Sequence, residues 1–388
     1  MRHDRYTGGT APRPGAVIAI RNQPETPVLT LLNTPLSFPH GGSMKNRFML
    51  APMTNQQSHD DGILSDDEFT WLTRRAEGGF GMTVTCAAHV QENGKTWPGE
   101  LGVFGDQHIE GLSRLAAGLR AHGSLGVVQL FHGGRRAVPE LFGGAAPKAP
   151  SEDAETGAVA LTLAEIEALR DSFITAAARC HKAGFGGVEI HAAHGFMICQ
   201  FLSPEFNRRT DAYGGTPENR ARLLDEIIDG IRAACGAEFT IGIRLSPEHN
   251  GLVFDEMLNL AARLLIDPRI DFIDMSMRDA FKLPNDAAYA DKTLTQWYTG
   301  LPRGGVRLGI TGMLRTPEAI HRAMDSGADF VVIGRAAILH HDFPQQMADD
   351  PQFVPRTTPV AADVLLSESL SPTFVAYMRS FPDFVQPD

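Results

Sequence analysis

The chain has 388 residues, of which 43% are hydrophobic and 21% charged, a balance typical of globular proteins rather than disordered or fibrous ones. Its 35 Lys and Arg residues against 46 Asp and Glu residues give a formal net charge of −11. A chain of that sign has no general attraction to nucleic acid or anionic lipid. Its length accommodates two or three domains, or one (β/α) barrel with insertions.

Cysteine usage and hydropathy indicate the compartment. Four cysteines are far apart and form no C-x2-C pair, which removes the signature of zinc ribbons, iron–sulfur sites and thioredoxin-like centres. No apolar run approaches the roughly 18 residues of a membrane span, and the N-terminus lacks the apolar core of a signal peptide. We therefore expect a cytoplasmic protein with a small-molecule substrate and neither a membrane nor a nucleic acid as partner.

Strand signals recur along most of the chain. Residues 1–30 are rich in Gly, Pro and Thr and are interpreted as a flexible N-terminal extension. From Leu31 onward, short β-branched runs alternate with longer amphipathic stretches, and several runs are apolar throughout, as in strands covered on both faces. The predicted strands are 47–53, 81–88, 125–131, 186–192, 239–245, 271–277, 305–311 and 329–335.

Helix signals lie between these strands. Ser65 and Glu68 form the pattern of a capping box, and Thr162 begins an amphipathic stretch that ends at a glycine. Pro217 and Pro317 each stand where the first turn of a helix tolerates proline.

Eight strands alternating with helices predict an α/β fold, a single (β/α)8 TIM barrel over residues 31–345, with 346–388 as a C-terminal tail. A doubly wound sheet is the main rival, but no G-x-G-x-x-G follows an early strand. Aromatic residues near the end of the tail could pack on the barrel or on a partner subunit, which leaves a homo-oligomer open: Phe374, Tyr377, Phe381 and Phe384.

Polar residues at strand ends are the candidates for function, because TIM barrels place their chemistry at the carboxyl ends of the strands. Gly312 and the Gly334-Arg335 pair follow the last two predicted strands, where glycine lets backbone N–H groups approach a phosphate. Tight turns are the alternative explanation of these glycines. Thr54 and Gln129 offer a hydroxyl and an amide that suit the edge of a planar heterocycle, although a strand-end Gln is often structural.

Charged and imidazole groups add further candidates. Arg244 ends a strand and needs either a carboxylate such as Glu189 or an anionic ligand. His191 and His194, spaced H-x-x-H, could be metal ligands, donors to a substrate oxygen, or packed histidines. Glu189 lies on the same side of its strand as His191, so a metal-dependent lyase or hydrolase that uses Glu189, His191 and His194 stays open as an alternative.

Four segments resemble the old yellow enzyme family of FMN-dependent oxidoreductases: KNRFMLAPMT, VVQLFHGGRRA, GFGGVEIHAAHGFMICQFLSPEFNRRTDAYGG and the GIR at 242–244. The resemblance runs in order from about Leu32 to Pro344 and implies FMN across the barrel mouth. It implies cofactor contacts from Ala51, Pro52, Met53, Thr54, Cys86 or Ala87, Gln129, Arg244, Gly312, Gly334 and Arg335.

The resemblance also implies roles for other residues. His191 and His194 would bind the activating oxygen of the substrate. The neighbouring motif residues His132, Arg135, Arg208, Asp211 and Tyr213 are interpreted as structural.

Two departures from the family pattern concern the substrate. Phe196 stands where many members have the tyrosine that protonates the substrate carbon, and phenylalanine cannot donate a proton. Gln56 stands where some members have a tyrosine that contacts substrate. Tyr289, Tyr298 or water could supply the proton instead.

The resemblance implies an FMN-dependent oxidoreductase that uses NADH or NADPH to reduce activated C=C bonds of α,β-unsaturated carbonyl or nitro compounds. Phe196 keeps open the alternatives of a flavin-dependent NAD(P)H oxidase, a quinone reductase or an isomerase.

Overall fold

A closed barrel of eight parallel strands forms the body of the molecule, in a computed structural model that describes residues 31–387. The predicted (β/α)8 barrel is confirmed, and each predicted strand overlaps one barrel strand. The described strands are β1 (Leu36–Ser37), β2 (Ser43–Met44), β3 (Phe48–Leu50), β4 (Met82–His89), β5 (Leu125–Phe131), β6 (Lys148–Ala149), β7 (Val159–Ala160), β8 (Gly187–Ala192), β9 (Thr240–Leu245), β10 (Phe272–Ser276), β11 (Arg307–Thr311) and β12 (Phe330–Ile333).

The barrel closes where β12 pairs with β3, with Ile333 opposite Leu50. The order of its strands is β3-β4-β5-β8-β9-β10-β11-β12, and β1 with β2 and β6 with β7 form separate two-stranded sheets. The helices that cover the barrel are α1 (Asp66–Glu77), α2 (Ile109–Ala121), α3 (Leu163–Lys182), α4 (Met197–Leu202), α5 (Pro217–Cys235), α6 (Phe254–Leu264), α7 (Leu294–Thr299), α8 (Pro317–Asp325), α9 (Arg335–Leu339) and α10 (Phe343–Asp349), followed by α11 (Ala362–Ser367) and α12 (Pro372–Arg379) in the tail.

Apolar side chains fill the lower interior of the barrel. The β1–β2 hairpin contributes Phe38, whose ring centroid lies 5.5 Å from that of Phe272 and 6.5 Å from that of Phe330. These rings belong to a buried cluster with inward residues of β3, β4 and β5 such as Met49 and Met82. Because this end is packed, the open end of the barrel is the one at the carboxyl ends of the strands.

The helix starts are largely those that the sequence predicts. Thr162 and Glu165 form a complete capping box at α3. At α1, the Ser65 hydroxyl accepts the Glu68 N–H at 3.0 Å, but the Glu68 side chain does not return to the cap. It turns into the core, where one oxygen accepts from Asn55 at 3.0 Å. The predicted capping box at α1 is therefore only half formed.

The C-terminal tail packs against the first helix of the barrel. The rings of Trp71 in α1 and Phe374 in α12 lie 5.4 Å apart, and the buried Arg75 donates to the Glu368 carbonyl at 2.7 Å. The Ser371 N–H also donates to the Gln57 side chain at 3.1 Å. The boundary predicted at residue 345 falls within α10, and the predicted extension 1–30 lies outside the described residues. Within 31–387, no helix is long and apolar enough to cross a membrane.

Candidate active site

Strand register brings most of the predicted polar residues together at the open end. In the β5–β8 pairing Gln129 lies opposite Glu189, and in the β8–β9 pairing His191 lies opposite Arg244. The β9–β10 pairing then sets Arg244 opposite Asp274. Neighbouring parallel strands thus carry an unbroken row of polar side chains across one side of the barrel mouth.

Arg244 is 5% exposed and is surrounded by protein acceptors. Its Nε lies 3.0 Å from Asp274 Oδ2, and its two terminal nitrogens donate to the Pro52 carbonyl at 3.3 Å and to the Ser276 hydroxyl at 3.2 Å. The carboxylate suggested from sequence, Glu189, instead accepts from Gln129 Nε2 at 2.6 Å. Of the two partners that the sequence left open, a carboxylate is present, but it is Asp274 of the adjacent strand β10 and not Glu189.

Two buried carboxyl groups therefore share one buried cation. Burial raises the pKa of Glu189, and the nearby charge of Asp274 raises it further. Burial also raises the pKa of Asp274, while Arg244 acts in the opposite direction. Asp274 was missed from sequence, although an aspartate in the middle of the apolar strand FIDMS is a signal that such a partner is required.

The two histidines meet at the end of β8. Their ring centroids lie 5.0 Å apart with the planes at 84°. His191 Nδ1 accepts the Ala193 N–H at 3.2 Å, and His194 Nε2 lies 2.8 Å from the Ser276 hydroxyl. His194 takes a positive φ of 60°, which turns its ring from the strand toward β10. We call the group of His194, Arg244, Asp274 and Ser276 the polar wall.

Both imidazoles are neutral near pH 7. Burial lowers the pKa of His194 to about 3, with further lowering by Arg244, Arg136 and Arg278. Burial, followed by the charges of His194 and Arg244, lowers the pKa of His191 as well. A neutral imidazole keeps one N–H, and because His191 Nδ1 accepts a hydrogen bond, its own N–H is on Nε2. The pair can therefore donate hydrogen bonds without carrying a positive charge.

Apolar rings adjoin His191 at the mouth, and the centroid of the Phe196 ring lies 5.1 Å from that of His191. Phe196 is 7% exposed, and its ring lies 4.6 Å from that of Phe131 and 6.3 Å from that of Trp97. Ala87 belongs to the same cluster. We call Ala87, Trp97, Phe131 and Phe196 the aromatic wall. Trp97, which sequence reasoning missed, has a buried Nε1 with no hydrogen-bond partner among the described residues.

The structure separates the two small residues that the sequence left undecided. Ala87 faces the aromatic wall, whereas the Cys86 thiol donates to Glu68 Oε1 at 2.8 Å on the side of α1. Burial raises the pKa of the Cys86 thiol well above its usual value. Cys86 therefore does not face the mouth, and Ala87 is the one that does.

The loop after β3 forms the next part of the rim. The Ala51 N–H donates to the Ile333 carbonyl at 3.0 Å, and Met53 packs against the buried clusters on both sides. Burial raises the pKa of the Tyr377 hydroxyl in α12, and the neighbouring Thr54 side chain acts in the opposite direction. Gln56 takes a positive φ of 56° and is partly exposed.

A cationic cradle lies at the ends of β11 and β12. Arg335 and Arg315 each donate to the sulfur of Met313, at 3.2 and 3.3 Å, and neither has a carboxylate partner within residues 31–387. Burial lowers the pKa of Arg335, and the charge of Arg315 lowers it further. A thioether is a weak acceptor for two guanidinium groups, so the cradle suits an anion such as a phosphate. Arg315 was not singled out from sequence.

Gly312 and Gly334 of this region lack a side chain for different structural reasons. Gly312 has φ of 141°, and a Cβ there would lie 2.7 Å from the Met277 carbonyl oxygen. A Cβ on Gly334 would touch only Met53 and Ala51, at 3.7 and 3.9 Å, so open space lies above it. The unpaired arginines and this open backbone fit the phosphate and chain of FMN.

Other motif residues have structural partners. His132 Nδ1 accepts the Gly134 N–H at 3.0 Å, Arg135 pairs with Glu155 at 2.8 Å, and the Tyr213 hydroxyl donates to Glu226 at 2.9 Å. Arg208 donates to the Glu205 carbonyl, and the Asp211 side chain pairs with Arg209.

The two tyrosines suggested as proton donors lie elsewhere. The Tyr289 hydroxyl donates to Asp255 at 2.7 Å, Tyr298 is fully buried, and neither lines the cavity beside His194. In the described part of the chain, no group of three or more His, Cys, Asp or Glu residues could hold a metal, and that includes Glu189 with His191 and His194.

The fold and the mouth together define a TIM-barrel enzyme with an anion cradle after its last two strands and neutral donors beside an aromatic wall. A profile of the "NADH:flavin oxidoreductase / NADH oxidase family" matches residues 32–352. The chain therefore belongs to this family: it is an oxidoreductase that uses FMN and a nicotinamide reductant.

Relatives of known name agree with that assignment. The chain is 33% identical over 315 residues to the "Probable NADH-dependent flavin oxidoreductase YqiG" of Bacillus subtilis, covering 79% of this chain and 84% of that one. It is 32% identical over 331 residues to the "NADH:fumarate oxidoreductase" of Klebsiella pneumoniae, covering 81% of this chain but 35% of that longer protein. The structure of the old yellow enzyme homologue from Zymomonas mobilis superposes with a TM-score of 0.74 at 27% identity, over 89% of this chain and 99% of that one.

Proposed function

We propose that this enzyme reduces the C=C bond of α,β-unsaturated carbonyl or nitro compounds with electrons from NADH or NADPH. The observation that carries the proposal is the pair of neutral imidazoles His191 and His194 beside an aromatic wall at the barrel mouth. Alkenes become hydride acceptors when a neighbouring oxygen can take up negative charge, and N–H donors stabilise that charge.

The cofactor would be held by residues of three regions. Arg315 and Arg335 would hold the phosphate, Gly334 leaves space for the chain, and the rim from Ala51 to Thr54 with Gln129 and Arg244 would contact the ring. Bound FMN supplies hydride transfer, first from the nicotinamide and then to the substrate.

The histidines would orient the substrate and stabilise charge on its oxygen. Hydride at the β-carbon moves the alkene electron pair toward the carbonyl or nitro oxygen, where two N–H groups are available. The reaction is completed by one proton at the α-carbon, so the product gains one hydride and one proton. Ser276 holds His194 in place, and because the Ser276 oxygen already accepts from Arg244, its own hydrogen is available for His194 Nε2.

Rings exclude water from the apolar side of the substrate. Trp97, Phe131 and Phe196 pack edge to face or tilted, which forms an apolar surface beside His191. Phe196 provides no proton, and the indole N–H of Trp97 is far too weak an acid to provide one. Water that enters from the polar side is the proton source that fits these residues.

Phe196 also supports a second candidate function. Without a built-in acid, the same site would pass electrons to quinones or oxygen, acceptors that require no proton on carbon. The name of the fumarate oxidoreductase relative, whose substrate is an unsaturated acid, supports the alkene instead.

An anaerobic two-step titration tests the proposal. The FMN-loaded protein is first bleached with NADH or NADPH and then titrated with 2-cyclohexen-1-one. We expect the oxidised flavin spectrum to return with one equivalent of enone and cyclohexanone to form in equal amount. Recovery with benzoquinone or oxygen but never with an enone or nitroalkene would refute alkene reduction and favour the second candidate.

A further inference from the structure

A cavity of about 360 Å³ opens beside His194 at the outer edge of the polar wall. It lies between the loops that follow β9 and β10, and the loop after β5 closes one side. The residues that matter here are Arg136, His194, Glu248, Ser276, Arg278 and Lys282. Since His194 and Ser276 belong to both, the cavity is continuous with the site described above.

The positive charges of this cavity are only partly neutralised. Lys282 Nζ lies 2.5 Å from Glu248 Oε1, and the second Glu248 oxygen accepts the Asn285 N–H at 2.8 Å, so this carboxylate is fully engaged. Arg136 donates to the His194 carbonyl at 2.7 Å and stacks at 4.5 Å over the Phe196 ring. Arg278 is exposed and makes no hydrogen bond or ion pair with any other residue of 31–387.

Neither arginine has a carboxylate partner in the described part of the chain, although the protein as a whole carries a net charge of −11. Both guanidinium groups act on His194, since Arg136 and Arg278 each contribute to the lowered pKa of its ring. Two unneutralised guanidinium groups at the mouth of a half-enclosed cavity form a local site for an anion, because a planar carboxylate can be bound by parallel N–H groups.

We infer that the substrate carries a carboxylate in addition to its activated alkene, and that Arg278 together with Arg136 binds it while the histidines hold the carbonyl oxygen. The inference rests on the proposed function and names the substrate class for that same site. Arg136 also stacks on Phe196, so it links the carboxylate position to the aromatic wall. An unsaturated aldehyde or ketone with a carboxylate on an aryl group combines these features.

A second anion could use the same arginines. The 2′-phosphate of NADPH presents similar oxygens, and NADH lacks that group. The test therefore separates the substrate carboxylate from the reductant phosphate by varying each one independently.

The test compares a neutral and a carboxylated substrate in the wild type and in variants of the exposed Arg278. The FMN-loaded full chain is assayed with cinnamaldehyde and 4-carboxycinnamaldehyde, and kcat and KM are measured for Arg278→Gln, Arg278→Lys and the wild type. We expect Arg278→Gln to lower the ratio of kcat/KM for the charged over the neutral aldehyde about tenfold, mainly through KM. Arg278→Lys, which keeps the positive charge, should retain part of the wild-type preference for the charged aldehyde. Arg74→Gln on α1, an exposed arginine paired with Glu77, is the matched control and should leave the ratio unchanged.

A binding measurement keeps the result separate from the proposed function. Calorimetric titration with 4-carboxybenzaldehyde, which has no alkene to reduce, should give a Kd about tenfold weaker for Arg278→Gln, with little change for benzaldehyde. If the wild type reduces neither cinnamaldehyde, the proposed function fails, but this titration still tests the arginines.

Two outcomes would overturn the inference. One is an unchanged substrate ratio together with unchanged binding of 4-carboxybenzaldehyde. The other is a loss confined to the KM for NADPH, with the KM for NADH and the substrate ratio unchanged, which would assign Arg278 to the reductant phosphate.

Discussion

The polar wall and the aromatic wall lie at one barrel mouth and are built in different ways. In the polar wall, the register of β9 and β10 sets Arg244 opposite Asp274, Ser276 ends β10, and His194 follows β8. The aromatic wall combines β4 and β5 with residues of two loops, and it contains no ionisable group. The difference teaches that the buried ion pair is placed by two paired strands, whereas Trp97 and Phe196, which complete the aromatic wall, come from loops.

The largest expected effect is removal of the cation from the polar wall. Arg244→Met would leave Asp274 and Glu189 buried without a cation, and breaking a buried pair in this way costs about 3–5 kcal/mol. We expect the free energy of urea unfolding of the FMN-free protein to fall by that amount. The double variant Arg244→Met with Asp274→Asn should recover a large part of the lost free energy of unfolding. An Arg244→Met single variant as stable as the wild type would contradict the charge cluster.

The second-largest expected effect follows removal of the N–H donor of His191 or of His194. His191→Ala or His194→Ala should lower kcat/KM for 2-cyclohexen-1-one by about 10²–10³-fold, the typical effect of one oxyanion donor. Steady-state kinetics with a fixed NADH concentration would measure it, and rapid-reaction reduction by NADH should change much less. His122→Ala, at an exposed site on the end of α2, is the control. Equal losses in both half-reactions would show a damaged flavin site instead.

The aromatic wall is tested by restoring an acid. Phe196→Tyr should raise kcat for enone reduction by up to about 10²-fold, the lower range of general acid catalysis, if protonation limits turnover. The rate of quinone reduction, which requires no proton on carbon, serves as the internal control. An unchanged kcat for the enone would mean that water protonates the substrate fast enough and that Phe196 imposes no limit.

Histidine burial makes stability depend on pH. The unfolded chain binds a proton at each histidine below a pKa of about 6.5, whereas His194 in the folded protein stays neutral down to a pKa of about 3. The contribution of the neutral His194 to the free energy of unfolding is therefore fully present above pH 6.5. It is lost progressively as the pH drops toward 3. His194→Ala should reduce the slope of unfolding free energy against pH by up to about 1.4 kcal/mol per pH unit in this window. Urea unfolding at pH 7, 6 and 5 would measure it, and equal slopes in both proteins would contradict the lowered pKa.

The smallest expected effect concerns the tail. Tyr377→Phe removes the half-buried hydroxyl that lies near Thr54 at the rim and should cost about 1 kcal/mol of stability. A small shift of the flavin reduction potential should accompany it, because Thr54 is then free to reorient. Tyr289→Phe, at a tyrosine bonded to Asp255 away from the mouth, should leave that potential unchanged. A shift of equal size in both variants would mean that the tail contact has no special role.

The sequence predicted the elements well because their signals are local. Each barrel strand lies within a predicted β-branched run, except that β4 extends one residue further to His89, and Thr162 and Pro217 begin helices where their caps indicate. Glu68 departs from its predicted cap because buried partners at Asn55 and Cys86 compete for its carboxylate.

The site was predicted less completely. The choice between Cys86 and Ala87 depends on an irregularity between Val84 and Ala87 in the pairing of β4 with β5, which disturbs the alternation of side chains. That irregularity is a property of two paired strands, so the sequence of one strand does not reveal it.

By itself, the sequence determined the order of the eight barrel strands, the starts of several helices between them, the H-x-x-H pair at one strand end and the lack of an acid at Phe196. These features depend on residue type and short spacing along one segment. Only the tertiary structure decided that Asp274 rather than Glu189 lies beside Arg244, that α12 reaches Thr54 and that Arg136 and Arg278 share a cavity with His194. Such contacts join residues far apart in the chain, and they are set by strand order and barrel closure rather than by any local pattern.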